Sequence, residues 1–185
     1  MKPAEGKTAQ ILDAAQELIL KLGLRGTSME AIARQAGIAK PTLYAYFPDK
    51  AAVFAALLDR LVQSWRREFF TALHGEGDVV QRIGAAMTAK HKAVMRLLAN
   101  SPHADELYGE HDRSGAAQFT AFEAELSAAL EAELTRAGVS RARIVTQFFL
   151  AASFGIGRKA QLAAELGPAF RLLSERLIRP ELPQA

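Results

Sequence analysis

The sequence predicts an all-α protein, in which an N-terminal three-helix bundle with a helix-turn-helix precedes a larger helical domain. Residues that favour helices, mainly Ala, Leu, Glu, Arg and Gln, dominate a chain that is 50% hydrophobic over 185 residues. Apolar residues recur three and four positions apart, and strand-like alternation is not evident. The 13 glycines and 7 prolines cluster where these periodic segments end.

Composition excludes several classes of protein. The chain has no cysteine, so it holds no disulfide, thiol redox sensor or Cys-ligated metal. Its net charge of +3 and isoelectric point of about 9.3 permit binding to nucleic acid but do not argue for it. No apolar signal segment follows Met1, and the longest uncharged run, residues 144–157, is too short to cross a membrane. We expect a soluble cytoplasmic protein.

The first two helices are predicted from periodicity and end signals. Helix 1 should run from about Lys7 to Leu22, where Gly23 stops it. Thr27 is predicted to cap helix 2, because Glu30 three residues later completes a T-x-x-E capping box. Gly37 should end helix 2 in a sharp turn, since glycine tolerates a positive φ.

A third, short helix fits residues 40–46. Pro41 is tolerated in its first turn, where the missing N–H is no loss. Leu43 and Phe47 should point inward, which leaves Lys40, Thr42, Tyr44 and Tyr46 on the outer faces. Two short helices joined by a glycine turn indicate a helix-turn-helix, whose second helix enters the major groove of DNA. The alternative from spacing alone is an ordinary helical hairpin.

Three motifs at fixed spacing decide between these alternatives. They are G-x-x-G-T-S at Gly23–Ser28, I-A-R-Q-A-G-I at Ile32–Ile38 and K-P-T-L-Y-A-Y-F-P-D-K at Lys40–Lys50. With them, residues 8–58 resemble the DNA-binding domain of the TetR family of bacterial transcriptional regulators. The remainder of the chain matches that family only as an all-helical pattern of suitable length. The resemblance implies a cytoplasmic homodimer on palindromic operator DNA.

The resemblance also implies which residues contact DNA. Positions 40–44 match those that contact bases and nearby phosphates, and the full predicted set is Thr27, Ala39, Lys40, Pro41, Thr42, Tyr44, Tyr46 and Lys50. Thr27 and Lys50 lie beside helix N-termini, where backbone N–H groups favour a phosphate. Ala39 departs from the family, which commonly has Ser or Thr there, and the lost helix cap costs roughly 1 kcal/mol.

The rest of the chain reads as further helices. Asp49 should cap a long helix 4 over Lys50–Leu73. Later helices are predicted at about Val79–Asn100, His103–His111, Gly115–Ala137, Arg141–Glu165 and Ala169–Ile178, with Gly167 and Pro168 separating the last two. We expect a DNA-binding domain in residues 1–50, with the start of helix 4, and a regulatory and dimerisation domain in residues 51–185.

Residues 144–157 are apolar nearly all round, so a helix there must be covered on more than one side. A second subunit is one possible cover, and a central core position within the monomer is the other. In the resembling family the last two long helices form the dimer interface. The predicted interface is Phe149, Ala152, Gly155, Phe170, Leu173 and Leu177.

Family members bind small, often apolar molecules between the helices of the second domain. Met and aromatic side chains suit such a site, although they equally suit a packed core. The predicted lining is Trp65, Phe69, Met87, His91, Met95, Tyr108, Phe119, Phe122 and Phe148. Acidic and histidine residues between His103 and Asp112 match no strong metal pattern, so we predict no metal site.

The leading interpretation is a homodimeric repressor that a small apolar or amphipathic ligand releases from its operator. A ligand-independent or architectural DNA-binding protein is the second, and an all-helical enzyme is the third. No carboxylate pair, nucleophile–base pair or cofactor loop supports an enzyme, so we predict no catalytic residues and no cofactor. Neither the ligand nor the operator follows from the sequence.

Overall fold

The computed structural model describes residues 3–99, 101–103 and 117–183. The helices are α1 (Pro3–Gly26), α2 (Met29–Gln35), α3 (Lys40–Tyr46), α4 (Lys50–Leu73), α5 (Val79–Leu98), α6 (Ala117–Arg136), α7 (Ala142–Lys159) and α8 (Ala163–Leu177). A short 3₁₀ turn follows at Arg179–Glu181. These ranges contain no β-strand, so the predicted all-α class is confirmed. The predicted short helix at 103–111 lies almost wholly outside the described residues.

The N-terminal helices pack as one small core. Ile11, Ala15 and Ile19 of α1 are buried with Ile32 of α2 and Leu43 of α3. Gly23 has φ 75° and ψ 166°, so the chain leaves the helical path where the sequence predicts a stop. Gly37 has φ 62°, the left-handed conformation that the turn between α2 and α3 requires.

The cap of α2 differs from the prediction by one residue. Ser28, not Thr27, is the N-cap, and its hydroxyl accepts a hydrogen bond from the N–H of Ala31 at 3.2 Å. The Thr27 hydroxyl instead donates to the carbonyl of Gly23 at 2.9 Å. Asp49 caps α4 as predicted, because its carboxylate accepts from the N–H of Ala52 at 2.8 Å.

The break between α7 and α8 also differs from the prediction. Ala160 is extended, and α8 begins at Ala163, so Gly167 and Pro168 lie inside α8 and do not precede it. The carboxylate of Glu165 accepts hydrogen bonds from the N–H groups of Gln161 and Leu162, at 2.8 and 3.1 Å. The Glu165 side chain therefore caps the N-terminus of α8, although Leu162 at the N-cap position has no polar side chain that could do so.

Within the described residues the chain divides into two compact units. The first contains Met1–Val62 and Leu98–Phe119, and the second contains Gln63–Leu97 and Thr120–Ala185. Helix α4 therefore contributes residues to both, whereas the domain boundary predicted at residue 50 remains a prediction. The second unit buries large side chains from five helices, namely Phe69, Ile83, Met87, Phe122, Leu126, Phe149 and Phe170. No described helix is long and apolar enough to cross a membrane.

Candidate nucleic-acid interface and regulatory core

Helix α3 presents a polar face on an apolar anchor. Leu43 is fully buried, which fixes the orientation of the helix in the first unit. Lys40, Pro41 and Tyr44 are exposed, and Tyr44 keeps 42% of its surface accessible. Thr42 and Tyr46 are partly buried, and Ala39 at the N-cap is exposed and supplies no side-chain cap. The structure therefore leaves an exposed surface of Lys, Pro and Tyr side chains on α3 that a partner could contact.

Lys40 is the only charged residue of α3, and it forms an ion pair with a carboxylate of the same chain. Its ammonium lies 2.5 Å from the Glu30 carboxylate of α2, and both side chains are more than half exposed. The ammonium also lies 5.8 Å from the centre of the Tyr44 ring. Because both side chains are exposed, this ion pair contributes little to the stability of the fold. A DNA phosphate would have to replace Glu30 as the partner of Lys40.

We expect Glu30→Gln to strengthen binding to non-specific duplex DNA. Without the carboxylate, Lys40 is free to neutralise a phosphate, so the salt dependence of the binding constant should steepen by about one unit. Fluorescence anisotropy of a labelled duplex across salt concentrations measures this slope. Asp59→Asn, which removes an exposed carboxylate from α4, is the matched control. Equal slopes for the two variants would contradict the role assigned to Glu30.

Two predicted DNA contacts need correction, because the structure uses their side chains internally. Thr27 is 1% exposed and its hydroxyl is bonded to Gly23. The Lys50 ammonium donates to the carbonyl oxygens of Leu24 and Thr27, at 2.9 and 3.0 Å. These two side chains hold the end of α1 to the start of α4, so we remove both from the set of side chains that contact DNA.

Replacing Lys50 with methionine should therefore destabilise the protein. Hydrogen bonds from a charged group contribute about 1.5–3 kcal/mol, so we expect the free energy of unfolding to fall by about 2 kcal/mol. Urea denaturation followed by circular dichroism measures the change. Lys21→Met, at an exposed position on α1, controls for the lost charge. A variant as stable as the wild type would return Lys50 to the candidate DNA contacts.

The predicted ligand residues do not all share one environment. Trp65, Phe69, Met87 and Phe122 are buried in the second unit, where Met95 is partly buried. Phe119 is partly buried and belongs to the first unit. Phe148 keeps 65% of its surface exposed, so its assignment to the ligand lining was wrong. Tyr108 lies outside the described residues.

His91 is a neutral histidine in this core. Its Nδ1 lies 2.9 Å from the Met87 carbonyl oxygen, which can only accept, so Nδ1 carries the proton and Nε2 is left as an acceptor. The ring lies 4.7 Å from the Phe170 ring, centre to centre. A Cβ at Gly157 would lie 2.5 Å from its Cδ2, so only glycine fits there on α7. Burial, with a smaller contribution from the Lys90 charge, lowers the pKa of His91 to about 3.

This lowered pKa predicts a loss of stability in mild acid. The unfolded imidazole binds a proton near pH 6.5, whereas the folded one does so only near pH 3, so acid favours the unfolded chain. We expect His91 alone to cost about 2 kcal/mol between pH 7 and pH 5. Urea denaturation of wild type and His91→Gln at both pH values measures it. His74→Gln, at an exposed histidine, is the control and should keep the wild-type pH dependence.

Two residues of the predicted dimer interface are buried within the chain itself. Phe149 and Phe170 are 1% and 0% exposed, so they belong to the core of the second unit and cannot contact a partner. Ala152, Leu173 and Leu177 are partly buried, and Gly155 is exposed with open space at its Cβ position. Helix α7 instead exposes a stripe at positions separated by four, three and four residues, namely Ile144, Phe148, Ala151 and Gly155. We call these four residues the α7 stripe.

Helix α8 adds further uncovered apolar surface. Leu162, just before it, is 63% exposed, and Leu172 within it is 60% exposed, while Phe148 and Ile144 of the α7 stripe are 65% and 51% exposed. Apolar side chains of this size are normally buried, so a group of them on two consecutive helices indicates a contact surface.

Among the described residues no group of three His, Cys, Asp or Glu side chains could hold a metal ion.

Sequence comparison relates the N-terminal part of the chain to a family of bacterial regulators. Residues 11–57 match the family model for bacterial regulatory proteins of the tetR family. The chain is 34% identical over 87 residues to the HTH-type transcriptional activator FasR of Mycolicibacterium smegmatis, a match that covers 47% of this chain and 40% of FasR. The matched region thus spans less than half of that relative.

Solved structures extend the likeness in fold to the whole chain. A TetR-like transcriptional regulator from Rhodococcus sp. RHA1 superposes with a TM-score of 0.73 at 21% identity, covering 97% of this chain and 98% of that one. FadR from Bacillus subtilis, solved in complex with stearoyl-CoA, gives 0.67 at 18% identity and covers 90% and 97%. The helix-turn-helix region is therefore similar in sequence to bacterial regulatory proteins of the tetR family, and the chain as a whole is similar in fold to solved TetR-like regulators.

Proposed function

We propose that the chain is a homodimeric transcriptional repressor, released from a palindromic operator by a small apolar or amphipathic ligand. The observation that carries the DNA-binding part is α3. Its buried Leu43 orients the helix, and its exposed Lys40, Pro41 and Tyr44 leave a surface suited to base edges and phosphates. Ala39, Thr42 and Tyr46 flank this surface and complete the proposed set. The match of residues 11–57 to the tetR family model, which includes α3, supports the same use of this helix.

A dimer would give the short helix α3 greater specificity for one DNA sequence, because two copies of it bind at once. Two-fold DNA sites are bound by two-fold proteins, and two half-sites add their binding energies. The α7 stripe and Leu172 supply an uncovered apolar surface of the kind that a second copy would bury. We assign the dimer interface to this surface, with Ala152, Leu173 and Leu177 at its margin.

The proposed ligand site is the core of the second unit, lined by Trp65, Phe69, Met87, Met95 and Phe122, with His91 as a polar acceptor. FadR, whose structure holds stearoyl-CoA, supports an amphipathic ligand for this fold. Helix α4 has no internal proline or glycine that would absorb motion as a kink. We propose that a ligand shifts the C-terminal half of α4 and thereby changes the separation of the two α3 helices in the dimer.

Selection from random duplex DNA tests this function. The purified chain should enrich one sequence with two inverted half-sites, whose centres are separated by about one helical turn or a multiple of it. Sedimentation of the complex should give an even number of chains on each duplex. Enrichment of a sequence without two-fold symmetry would contradict the dimer. Binding to all duplexes with equal affinity would instead favour an architectural DNA-binding protein.

A reporter gene placed behind the selected operator distinguishes repression from activation. FasR is named an activator, so the direction has to be measured in this chain. The proposal expects expression to rise when the gene for this chain is deleted. A fall on deletion would keep the operator and the dimer but replace repression with activation.

A further inference from the structure

The second unit contains a partly buried cation, Lys90 of α5, that the proposed function does not use. Lys90 follows Ile83 by seven residues and Met87 by three on α5, and both of those residues are buried. Helical geometry therefore places Lys90 on the side of α5 that faces the core. Lys92, two residues later, projects from the opposite side of the helix. An apolar residue would be expected at position 90 if this face served packing alone.

Lys90 is also poorly compensated. Among the described residues its ammonium makes no hydrogen bond or ion pair, and Glu123 on α6, an exposed residue, is the carboxylate whose charge acts on its pKa. Desolvation lowers the pKa of Lys90, and Glu123 opposes this only as the weaker effect. Arg66 of α4, by contrast, is paired with Glu125 of α6. A partly buried charge without a partner in the chain is unfavourable, so its presence favours a counter-charge from a ligand.

The surroundings specify the chemistry of that counter-charge. His91 beside Lys90 is neutral, so Lys90 supplies a single positive charge to the site, and the exposed Glu123 offsets it only weakly. One negative charge on a ligand is enough to balance it. Met87 and Phe122 are buried in the same unit, which favours an apolar body for the molecule that carries the charge. A monoanionic carboxylate at the end of an alkyl chain fits both requirements, whereas a dianionic phosphate leaves one charge unbalanced.

We infer that the effector of this protein is an alkyl carboxylic acid whose carboxylate pairs with Lys90 inside the second unit. The inference rests on the proposed function, since it names the ligand class of the proposed regulatory site. Binding brings the missing anion to Lys90 and buries the alkyl chain among apolar side chains. The pair then contributes affinity because the Lys90 charge is already desolvated in the free protein.

Decanoate and decanol, which share a chain length and differ in charge, test the inference. Trp65 is the single tryptophan of the chain and lies in the second unit, so its fluorescence reports binding there. The wild type should bind decanoate at least 10-fold more tightly than decanol. Lys90→Met should lose that preference through weaker decanoate binding, whereas Lys90→Arg and the control Lys92→Met should keep it.

Several outcomes would overturn the inference. These are a wild type that does not prefer decanoate, a Lys90→Met variant that binds decanoate like the wild type, or an equal loss in Lys92→Met. Thermal denaturation checks that Lys90→Met is folded, and Lys90→Arg supplies the result if it is not. Operator binding is measured separately for each variant without decanoate. Failure of operator binding in the wild type rejects the proposed function, whereas failure of the decanoate preference alone rejects only the ligand class.

Discussion

Phe148→Glu should convert the dimer into monomers and reduce operator affinity at least 100-fold. Phe148 is 65% exposed on α7, so the substitution leaves the core of the chain unchanged. In the proposed dimer it would place two carboxylates, one from each subunit, in an apolar contact where neither has a partner. Burial of an unpaired charge costs several kcal/mol, and each such interface contains the change twice. Sedimentation at micromolar concentration and operator titration measure the two effects.

The control is Ala132→Glu, which adds the same charge at an exposed position of α6. It should remain dimeric and bind the operator like the wild type. Phe149→Glu is not a suitable test, because Phe149 is buried and its substitution would unfold the second unit. A Phe148→Glu variant that stays dimeric would place the interface elsewhere on the chain and remove the physical basis for the assignment to the α7 stripe.

Tyr44→Ala should reduce affinity for the selected operator by about 30-fold or more, since a lost base contact costs about 1–3 kcal/mol and the proposed dimer contains two copies. Affinity for a non-specific duplex should fall by no more than the loss of a phosphate hydrogen bond, because tyrosine is uncharged. The stability of the first unit should also persist, since Tyr44 is exposed and the buried Leu43 anchors α3. Anisotropy titrations with both duplexes and urea denaturation measure the three quantities.

Tyr44→Phe separates the two contacts that tyrosine can make. If the hydroxyl donates to a phosphate, this variant should show part of the loss on both duplexes. If the ring packs on a thymine methyl, it should bind like the wild type. A Tyr44→Ala variant with unchanged discrimination between operator and non-specific duplex would mean that α3 does not read bases through this residue.

Local signals predicted the first third of the fold well. The bounds of α4 follow from Pro48, Asp49 and the helical spacing after them, and all of these act within a few residues. The turn at Gly37 follows from its need for a positive φ. Where the prediction placed the cap at Thr27 and the structure places it at Ser28, both residues are good caps. Only the buried bond of Thr27 to Gly23 distinguishes them, and that bond depends on tertiary packing.

The motif residues illustrate a different limit. A motif marks the positions that recur in a family but does not say whether each one contacts DNA or supports the fold. Lys50 has the charge of a phosphate contact, yet its ammonium is bonded to two backbone carbonyls of the same unit. The relevant signal is the loop at residues 24–27, whose carbonyls need donors, and no local pattern shows that Lys50 reaches them.

The sequence could not show which face of α7 is exposed, for a physical reason. Residues 144–157 are apolar nearly all round, so periodicity cannot tell the face that packs in the chain from the face that packs on a partner. The structure resolves this, since Phe149 is buried and its neighbour Phe148 is exposed. The same ambiguity applies to Lys90. From sequence alone, a lysine on the side of α5 that faces the core cannot be told from a surface charge on an amphipathic helix.

The central claim is that the exposed face of α3 reads a DNA sequence. It is tested most directly by the affinity of the purified chain for its selected operator, compared with a scrambled duplex of the same length and composition at 150 mM salt. We expect the operator to bind about 10³-fold more tightly or better, as is typical of specific recognition. Equal affinities for the two duplexes would contradict the account, because a protein that binds DNA only through phosphates cannot distinguish them.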